Sequence, residues 1–537
     1  MRRRQLLTLG LGLPLLAACD PLDRWRRWRV PLSVHQPGLR EGHWLRDLRT
    51  LPPVSGERSV DTVVIGSGIG GLSAAYKLAR EKFSDFLLLQ GPEPGGNAAA
   101  GQQLGMHFPT GAHYLPVPTP ESAHVREILA DAGVLHGSPG ATTPEYDERA
   151  LIHAPEDRLL IGGRWQDGLL PRHGIAKNEI AQQERFLNYV GTLKGRRGAD
   201  GKLLFALPLA LSSRDPAWRE LDTLSFARWL QREGYTAPSL LWYLDYCCRD
   251  DYGAGIATVS AWAGLHYFAC RSGSARHAGG DTVLTWPDGL ATLARHLERP
   301  CRDRVLKGFA LHIREHRNGV EVLCADQAGT EARLFRIRAR RAVLAMPLHV
   351  AARLCPDLAG MGLDRDRDLP PHAPWLIGNF LLHRFPDEKP GADLAWDNVV
   401  YRGHGLGYVV STHQMIRAAR PAQTVFTAYQ ALNRLPPAEM RRWLLQAGPR
   451  ELLQEAAADI EAAYGETFWR HVDAVHLTLR GHAMAIPAPG FLHNRARDSL
   501  RDSTGRLLFA HADLSGLSLF EEASWWGYRA AERVLGS

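Results

Sequence analysis

The fold of this chain is decided by the stretch Val63-Val64-Ile65-Gly66-Ser67-Gly68-Ile69-Gly70-Gly71-Leu72. Its apolar start predicts a buried parallel strand, and the small residues that follow predict a helix packed against it. Gly66 allows a tight turn, Gly68 lets the backbone approach a pyrophosphate, and Gly71 lets the helix lie close to the strand. The N–H groups at the helix start favour phosphate. The stretch therefore predicts a dinucleotide-binding turn, to which Gly70 also belongs.

A second strand supports this prediction. Phe86-Leu87-Leu88-Leu89 is an apolar run that ends at Gln90, about 20 residues past the glycines, where such units carry Asp or Glu for the ribose hydroxyls. The neutral amide of Gln90 can donate to and accept from a ribose hydroxyl, but it brings no charge. Gln90 is therefore either a cofactor-binding residue or an ordinary polar residue at a strand end.

The first residues predict an export signal. Basic residues at 2–4 precede an apolar stretch from Leu6 to Leu16, which is too short to span a bilayer, and then small residues up to Cys19. This region resembles a bacterial lipobox and a twin-arginine signal, although a plain secretory signal is an alternative. The resemblance implies a lipid on Cys19 and, with Asp20 after it, an exported protein anchored on the periplasmic side of the inner membrane.

The net charge of the chain is concentrated near its start. Seven Arg and two Asp lie in 1–30, so this segment carries +5 of the formal +7 and leaves about +2 for the rest. The interleaved Arg and Trp of 24–29 suit an anionic lipid surface, and a solvated basic linker is the alternative. A nucleic-acid arm does not suit an exported protein, and the sequence has no nucleic-acid-binding motif.

Cysteine spacing predicts no metal site. Six Cys remain besides Cys19, and none shows the paired C-x-x-C spacing of zinc ligands. The adjacent Cys247 and Cys248 are either a strained disulfide or two buried small apolar residues.

The remaining 480 or so residues are too many for one core, so we expect two domains. Strands are predicted at Phe309–His316 and, after a tight turn at Asn318-Gly319, at Val320–Cys324. Alternation predicts a further strand at 333–338, and an apolar run predicts a separate one at 342–345. At the C-terminal end, 505–513 predicts a strand that ends in a carboxylate and 521–535 a helix.

Four blocks, in this order, resemble the flavin-containing amine oxidases, a group that includes protoporphyrinogen oxidase-like and phytoene desaturase-like proteins. They are the glycine turn, Gly95-Gly96, Thr110-Gly111-Ala112-His113-Tyr114, and the C-terminal strand and helix. The resemblance implies an α/β fold: a Rossmann-like FAD-binding domain of a parallel sheet plus a β-meander, with a discontinuous α+β substrate domain. It also implies that Gly95 and Gly96 bind the cofactor and that Asp513 lies near the ribityl chain and pyrophosphate of FAD.

The same resemblance divides the chain. After the predicted export signal (1–19) and the basic Arg/Trp linker (20–56), it implies three FAD-binding parts (57–125, 276–350 and 491–537) and two substrate-domain parts (126–275 and 351–490). Two residues depart from the family pattern, because His511 replaces a Gly and Asn97 replaces an Arg.

Candidate catalytic residues come from segments that approach the flavin in the family, namely His482, His113 and Tyr114. Hydride removal from a carbon next to nitrogen requires a neutral amine. The pair Asp250-Asp251 is either an attractor for a cationic amine or an ordinary capping or surface pair.

The sequence thus leads to one main hypothesis and two alternatives. The main one is an FAD-dependent oxidoreductase that oxidises a small amine-like substrate and passes electrons to oxygen or a membrane acceptor. The alternatives are a desaturase-like flavoenzyme and a non-catalytic lipoprotein that uses the FAD fold as a binding module.

Overall fold

A computed structural model of the chain describes residues 25–47, 52–153, 156–279 and 282–536. The predicted export signal at 1–19, with Cys19, lies outside the described residues. Within them two large sheets are present, one of mixed direction that carries the glycine turn and one of eight strands. Among the helices of the described residues, none is long and apolar enough to cross a membrane.

The first sheet combines a parallel part and a meander, as predicted. Parallel pairing joins four strands side by side, and a fifth strand pairs parallel with the end of the fourth. The four neighbouring strands, in spatial order, are Val305–Leu306, Phe86–Leu89, Val54–Ile65 and Leu334–Leu344. The fifth strand is Leu507–Phe509, which pairs with the last residues of Leu334–Leu344. The strands Gly319–Ala325 and Phe309–His316 continue the sheet antiparallel.

The second sheet is built from distant parts of the chain. Its strands, in spatial order, are Leu32–His35, Val472–Ala485, His372–Leu382, Thr424–Ala431, Tyr408–Val410, Asp397–Val400, Asp157–Ile161 and Arg164–Asp167. Helices Pro437–Gln446 and Pro449–Tyr464 cover one face with an apolar cluster. This sheet matches the expected discontinuous substrate domain.

The helices fall into two groups. Ile69–Arg80, Ala123–Asp131, Ala291–Glu298 and Phe520–Leu535 contribute apolar residues to a core against the first sheet. An apolar core with many aromatic side chains lies against the second sheet and is formed by the helices Lys177–Leu193, Phe226–Arg232, Pro238–Tyr252 and Ala261–Ala269. The shorter helices are Leu39–Asp47, Pro216–Arg219, Leu348–Leu354 and Arg495–Arg501.

Part of the segment predicted as a linker at 20–56 packs on the rest of the protein within residues 25–47, which the structure describes. Its strand Leu32–His35 pairs parallel with Val472–Ala485, and Arg27 forms an ion pair of 3.1 Å with Glu461. Trp28 packs on the second sheet, whereas the side chain of Trp25 is 64% exposed. The strand Leu32–His35 was not predicted, because four residues are too few to show a periodic pattern and its partner strand lies more than 400 residues further along the chain.

Two smaller predictions change in the structure. The strands predicted at 333–338 and 342–345 are one continuous strand, Leu334–Leu344, because pairing with Val54–Ile65 continues past the exposed Arg340 and the buried Arg341. The C-terminal strand ends at Phe509, before a single turn at Ala512–Leu514. The six cysteines after Cys19 are all free and buried, so Cys247 and Cys248 are not joined in a disulfide.

Candidate functional site

The glycine turn has the geometry that its sequence predicts. Gly66 ends the strand with φ of +107°, and Gly68 sits in the N-cap position of the helix Ile69–Arg80. Among the described residues no side chain caps this helix, so its first N–H groups face open space. The hydroxyl of Ser67 donates to the carbonyl of Gln90 at 2.7 Å, which ties the turn to the second strand. The side chain of Gln90 itself is half-buried beside the turn.

The glycines of the turn differ in what surrounds them. A Cβ at Gly70 would collide with the carbonyl oxygen of Ala510, and a Cβ at Gly71 would collide with that of Gly66. At Gly68, by contrast, no atom of the described residues lies within 4 Å of the Cβ position. Gly70 and Gly71 therefore serve packing, and Gly68 leaves free space in front of the helix start.

The double glycine lies directly on this turn. The N–H of Gly95 donates to the carbonyl of Ser67 at 2.9 Å, and both Gly95 and Gly96 have positive φ, +81° and +57°. A Cβ at Gly96 would lie 3.2 Å from Cα of Gly68. The predicted cofactor-binding glycines and Gln90 thus converge on one crevice.

A guanidinium stands beside Asn97, where the resemblance implies an arginine. Arg480, from the strand Val472–Ala485, donates to the Asn97 side chain at 3.1 Å and to the carbonyl of Thr110 at 2.9 Å. It also pairs with Glu93. The positive charge therefore comes from a strand almost 400 residues further along the chain.

An aromatic cluster lies next to the double glycine. The N–H of Ala112 donates to the carbonyl of Asn97 at 2.7 Å, which places His113 at the edge of the crevice. The His113 ring stacks on Tyr429 at 4.3 Å and lies 5.5 Å from Trp396. Burial lowers the pKa of His113 to about 3, so its imidazole is neutral at physiological pH.

Carboxylates lie against this aromatic cluster. The hydroxyl of Tyr114 donates to Asp250 at 2.9 Å, and that of Tyr246 donates to Asp397 at 3.2 Å. Burial and then the neighbouring Asp251 raise the pKa of Asp250 to about 6, and burial and then Asp250 raise the pKa of Asp397 well above its ordinary value. Asp251 is itself paired with Arg271. We call His113, Tyr114, Trp396, Tyr429, Asp250 and Asp397 the aromatic–carboxylate cluster.

His113 and Tyr114 keep intermediate solvent accessibility although they lie deep in the protein. The sequence missed Trp396, Asp397 and Tyr429, because they lie on strands whose relation to the glycine turn no local pattern shows.

The third predicted catalytic residue lies in a different cluster. The ring of His482 stacks on His349 at 4.4 Å and lies 6.1 Å from His372. Burial and then Arg441 lower the pKa of His482 to about 4, although by its accessible surface the residue is exposed. His482 therefore belongs to the histidine cluster and not to the aromatic–carboxylate cluster.

Asp513, predicted to lie near the cofactor, is fully buried in the same histidine cluster. Its Oδ2 accepts from the N–H of Leu348 at 2.8 Å, and its Oδ1 accepts from Nε2 of His372 at 3.0 Å. Burial raises the pKa of this carboxyl, but His372 and His511 outweigh the effect and hold the pKa well below its ordinary value. Asp513 and His482 were predicted as site residues, but His349 and His372 were not, because His372 lies 141 residues before Asp513 and no local pattern relates them.

The C-terminal helix begins with two buried acids. Glu521 and Glu522 stand in the first turn of Phe520–Leu535, and burial raises the pKa of each to about 7. Glu522 accepts from the hydroxyl of Ser515 and from the N–H of Leu209. A helix N-terminus stabilises negative charge, which opposes the effect of burial.

Comparison with known proteins agrees with this geometry. A family model described as an NAD(P)-binding Rossmann-like domain matches residues 64–132, which hold the glycine turn and the double glycine. Wild-type putrescine oxidase bound to putrescine is similar over 90% of this chain and 100% of its own, with a TM-score of 0.62 and 15% identity. The chain has the amine oxidase fold.

Two further structures share this fold. Cyclohexylamine oxidase from Brevibacterium oxydans covers 89% of this chain and 99% of its own, with a TM-score of 0.60 and 16% identity. A fatty acid isomerase from P. acnes that produces CLA covers 88% and 98%, with a TM-score of 0.59 and 17% identity. No curated protein matches the sequence. At these identities the likeness establishes the fold, and the chemistry must be argued from the site.

Proposed function

We infer that this chain is an FAD-dependent oxidoreductase of the amine oxidase type that acts on a small cationic amine. The observation that carries this proposal is the aromatic–carboxylate cluster, where aromatic rings lie against the carboxylates of Asp250 and Asp397 close to the double glycine. Aromatic faces and carboxylates both attract cations. The oxidases that share the fold include one with putrescine bound.

The crevice fits a dinucleotide on its own geometry. The uncapped helix start at Gly68 and the free space in front of it suit a diphosphate. Gln90 stands where a ribose hydroxyl is bound in such units. When bound, FAD would supply a hydride acceptor at N5 of its ring.

The residues of the chain would then bind the amine and keep water away. His113, Tyr429 and Trp396 form apolar walls, which favour the neutral form of the amine at the reacting carbon. Asp250 and Asp397 would hold a second, charged amine at the other end of the substrate. A bound cation lowers the pKa of both carboxyls and favours their ionised form.

A fatty acid is disfavoured as substrate, although a fatty acid isomerase shares the fold. In their ionised form, the carboxylates of Asp250 and Asp397 would repel the carboxylate of such a substrate. The desaturase-like alternative requires an uncharged polyene or a tetrapyrrole, for which buried carboxylates offer no partner. The binding-module alternative predicts that bound FAD is not reduced by any amine.

The experiment is an absorbance spectrum of the purified protein, followed by anaerobic titration. We expect a yellow flavin spectrum that a short diamine bleaches at lower concentration than the monoamine of equal chain length. An unsaturated fatty acid, a polyene and a tetrapyrrole serve as the comparison set. Absence of flavin after denaturation, or bleaching only by a member of the comparison set, would contradict the proposal.

We also propose that the protein is exported and lipid-anchored through Cys19. This rests on the signal and lipobox-like pattern at 1–19 alone. Replacement of Cys19 by Ser should leave the protein in the soluble periplasmic fraction after cell fractionation, and a membrane-bound Cys19→Ser variant would contradict it.

A further inference from the structure

A cluster of imidazoles and a carboxylate lies where the two sheets meet. His349 stands in the first turn of the helix Leu348–Leu354, His372 begins a strand of the second sheet, and Asp513 follows the last strand of the first sheet. One possible ligand atom from each of the three lies within 4.8 Å of the others. Three separate parts of the chain therefore bring their donor atoms to one point.

The hydrogen bonds of the cluster are incomplete. Asp513 is satisfied by Leu348 and His372, but Nδ1 of His349 is buried and has no hydrogen-bond partner among the described residues. A buried polar atom without a partner costs about 1–3 kcal/mol. A bound group at this position would satisfy that nitrogen.

We propose that His349, His372 and Asp513 bind a divalent transition-metal ion of the Zn²⁺ type. Imidazole nitrogens and a carboxylate oxygen are the usual ligands of such ions, and two His with one carboxylate leave a coordination position open. If the ion binds through Nε2 of His372, the proton that this nitrogen shares with Asp513 moves to Nδ1 of the same ring.

A fourth ligand is within reach. The ring of His482 stacks on that of His349 at 4.4 Å with an interplanar angle of 28°, and its exposed edge leaves it free to turn. His511 has a different contact, because its Nδ1 accepts the N–H of Asp513 at 3.1 Å. This hydrogen bond stabilises the loop that carries Asp513. The site thus offers three ligands in place and one that can rotate in.

The positive groups around the cluster lie behind its ligands. Arg441 donates to the carbonyl of His372 at 3.0 Å, and Arg497 donates to the carbonyl of Asp513 at 3.3 Å. Both guanidinium groups hold the backbone of a ligand residue, and such outer contacts orient metal ligands. The bound ion would link the two sheets. Because it would bind the folded chain, it would raise the free energy of unfolding, and this rise grows with the logarithm of its affinity.

The test uses the full-length protein with its native cofactor, treated with a chelator and then titrated with Zn²⁺ and, separately, with Co²⁺. We expect one tightly bound ion per chain by calorimetry and elemental analysis, a visible Co²⁺ absorption band, and a rise in melting temperature. Single variants His349→Ala and His372→Ala should bind at least about 10-fold more weakly. Asp513→Ala tests the carboxylate ligand in the same way. If that variant does not fold, Asp513→Asn replaces it, because the amide removes the charge but still accepts the N–H of Leu348.

The matched control is His316→Ala, a histidine exposed in a hairpin at the far end of the meander. It should bind the ion as the unaltered protein does. A stoichiometry far below one ion per chain, or equal affinity in His349→Ala and the unaltered protein, would overturn the proposal. So would a Co²⁺ band that the His372→Ala variant leaves unchanged.

Discussion

The guanidinium of Arg480 and the carboxylate of Glu93 form a two-pronged ion pair, with nitrogen–oxygen distances of 2.8 and 2.9 Å. The Arg480 side chain is 8% exposed and that of Glu93 is 17% exposed, so the pair is largely shielded from water. It joins the second sheet to the loop that carries the double glycine. The cofactor crevice is thus held in shape by a residue of the other sheet.

Arg480→Met should lower the free energy of unfolding by about 3–5 kcal/mol, because it leaves a buried carboxylate without its partner. Urea denaturation measures this loss. The double variant Arg480→Met with Glu93→Leu should regain part of it, since no charge remains unpaired. The control Arg149→Met breaks the exposed ion pair with Asp147 and should cost at most about 1 kcal/mol. Equal losses from the two single variants would contradict the prediction.

Two glycines of the turn should respond differently to alanine. Gly70→Ala forces a Cβ into the carbonyl of Ala510 and should destabilise the fold. Gly68→Ala meets no described atom and should leave thermal stability of the cofactor-free protein nearly unchanged, yet weaken FAD binding at least about 10-fold by filling the space for the diphosphate. Melting temperature and flavin titration separate the two effects.

Gly191 provides the control for these variants. It lies inside the helix Lys177–Leu193 with no described atom within 4 Å of its Cβ position, so Gly191→Ala should raise stability by about 0.5–1 kcal/mol. The interpretation of Gly68 would be wrong if Gly68→Ala bound FAD as tightly as Gly191→Ala does.

Stability should fall as the pH rises through the range in which Glu522 titrates. The carboxyl releases its proton near 4.5 in the unfolded chain but near 7 in the folded chain, where it is buried. Between these values only the folded state keeps the proton, so the free energy of unfolding decreases with pH by at most about 1.4 kcal/mol per unit. Glu522→Gln stays neutral and should remove this contribution, while Glu521 keeps its own.

Denaturation at several pH values between 4.5 and 8 measures the effect of Glu522. The exposed Glu532→Gln, on the same helix, is the matched control and should keep the full slope. If the Glu522→Gln slope equals that of the control, Glu522 is not protonated in the folded state.

Asp250→Asn should raise the KM for a diamine by about 10–100-fold and leave that for the monoamine of equal chain length nearly unchanged. The loss corresponds to a charge-assisted contact of about 1.5–3 kcal/mol that only the distal ammonium makes. Steady-state kinetics with both amines measures it, and the exposed Asp303→Asn serves as control. If the KM values for the diamine and the monoamine rise equally, Asp250 does not bind the distal ammonium group and the prediction is wrong.

Local pattern was enough for the nucleotide-binding part of the fold. The glycine turn, the strand to Gln90, the meander from Phe309 and the C-terminal helix each lie in one short stretch, and the structure confirms each element. The linker prediction for 20–56 was wrong over Leu32–His35, because the partner of that strand is remote in sequence.

The candidate site was predictable only in part. His113 and Tyr114 follow a recognisable block, but Asp397 and Tyr429 lie on strands without any signature. His482 was singled out, yet its neighbours His349 and His372 were not.

The sequence alone determined that a parallel strand turns into a helix through glycines, because backbone conformation and close packing there depend on neighbours a few residues apart. Only the tertiary structure decided where charge lies: Arg480 beside Glu93, Asp250 near Asp397, and Asp513 among histidines. Each of these is a through-space interaction between side chains of distant segments, and its strength depends on burial and separation. Neither quantity can be obtained from spacing along the chain.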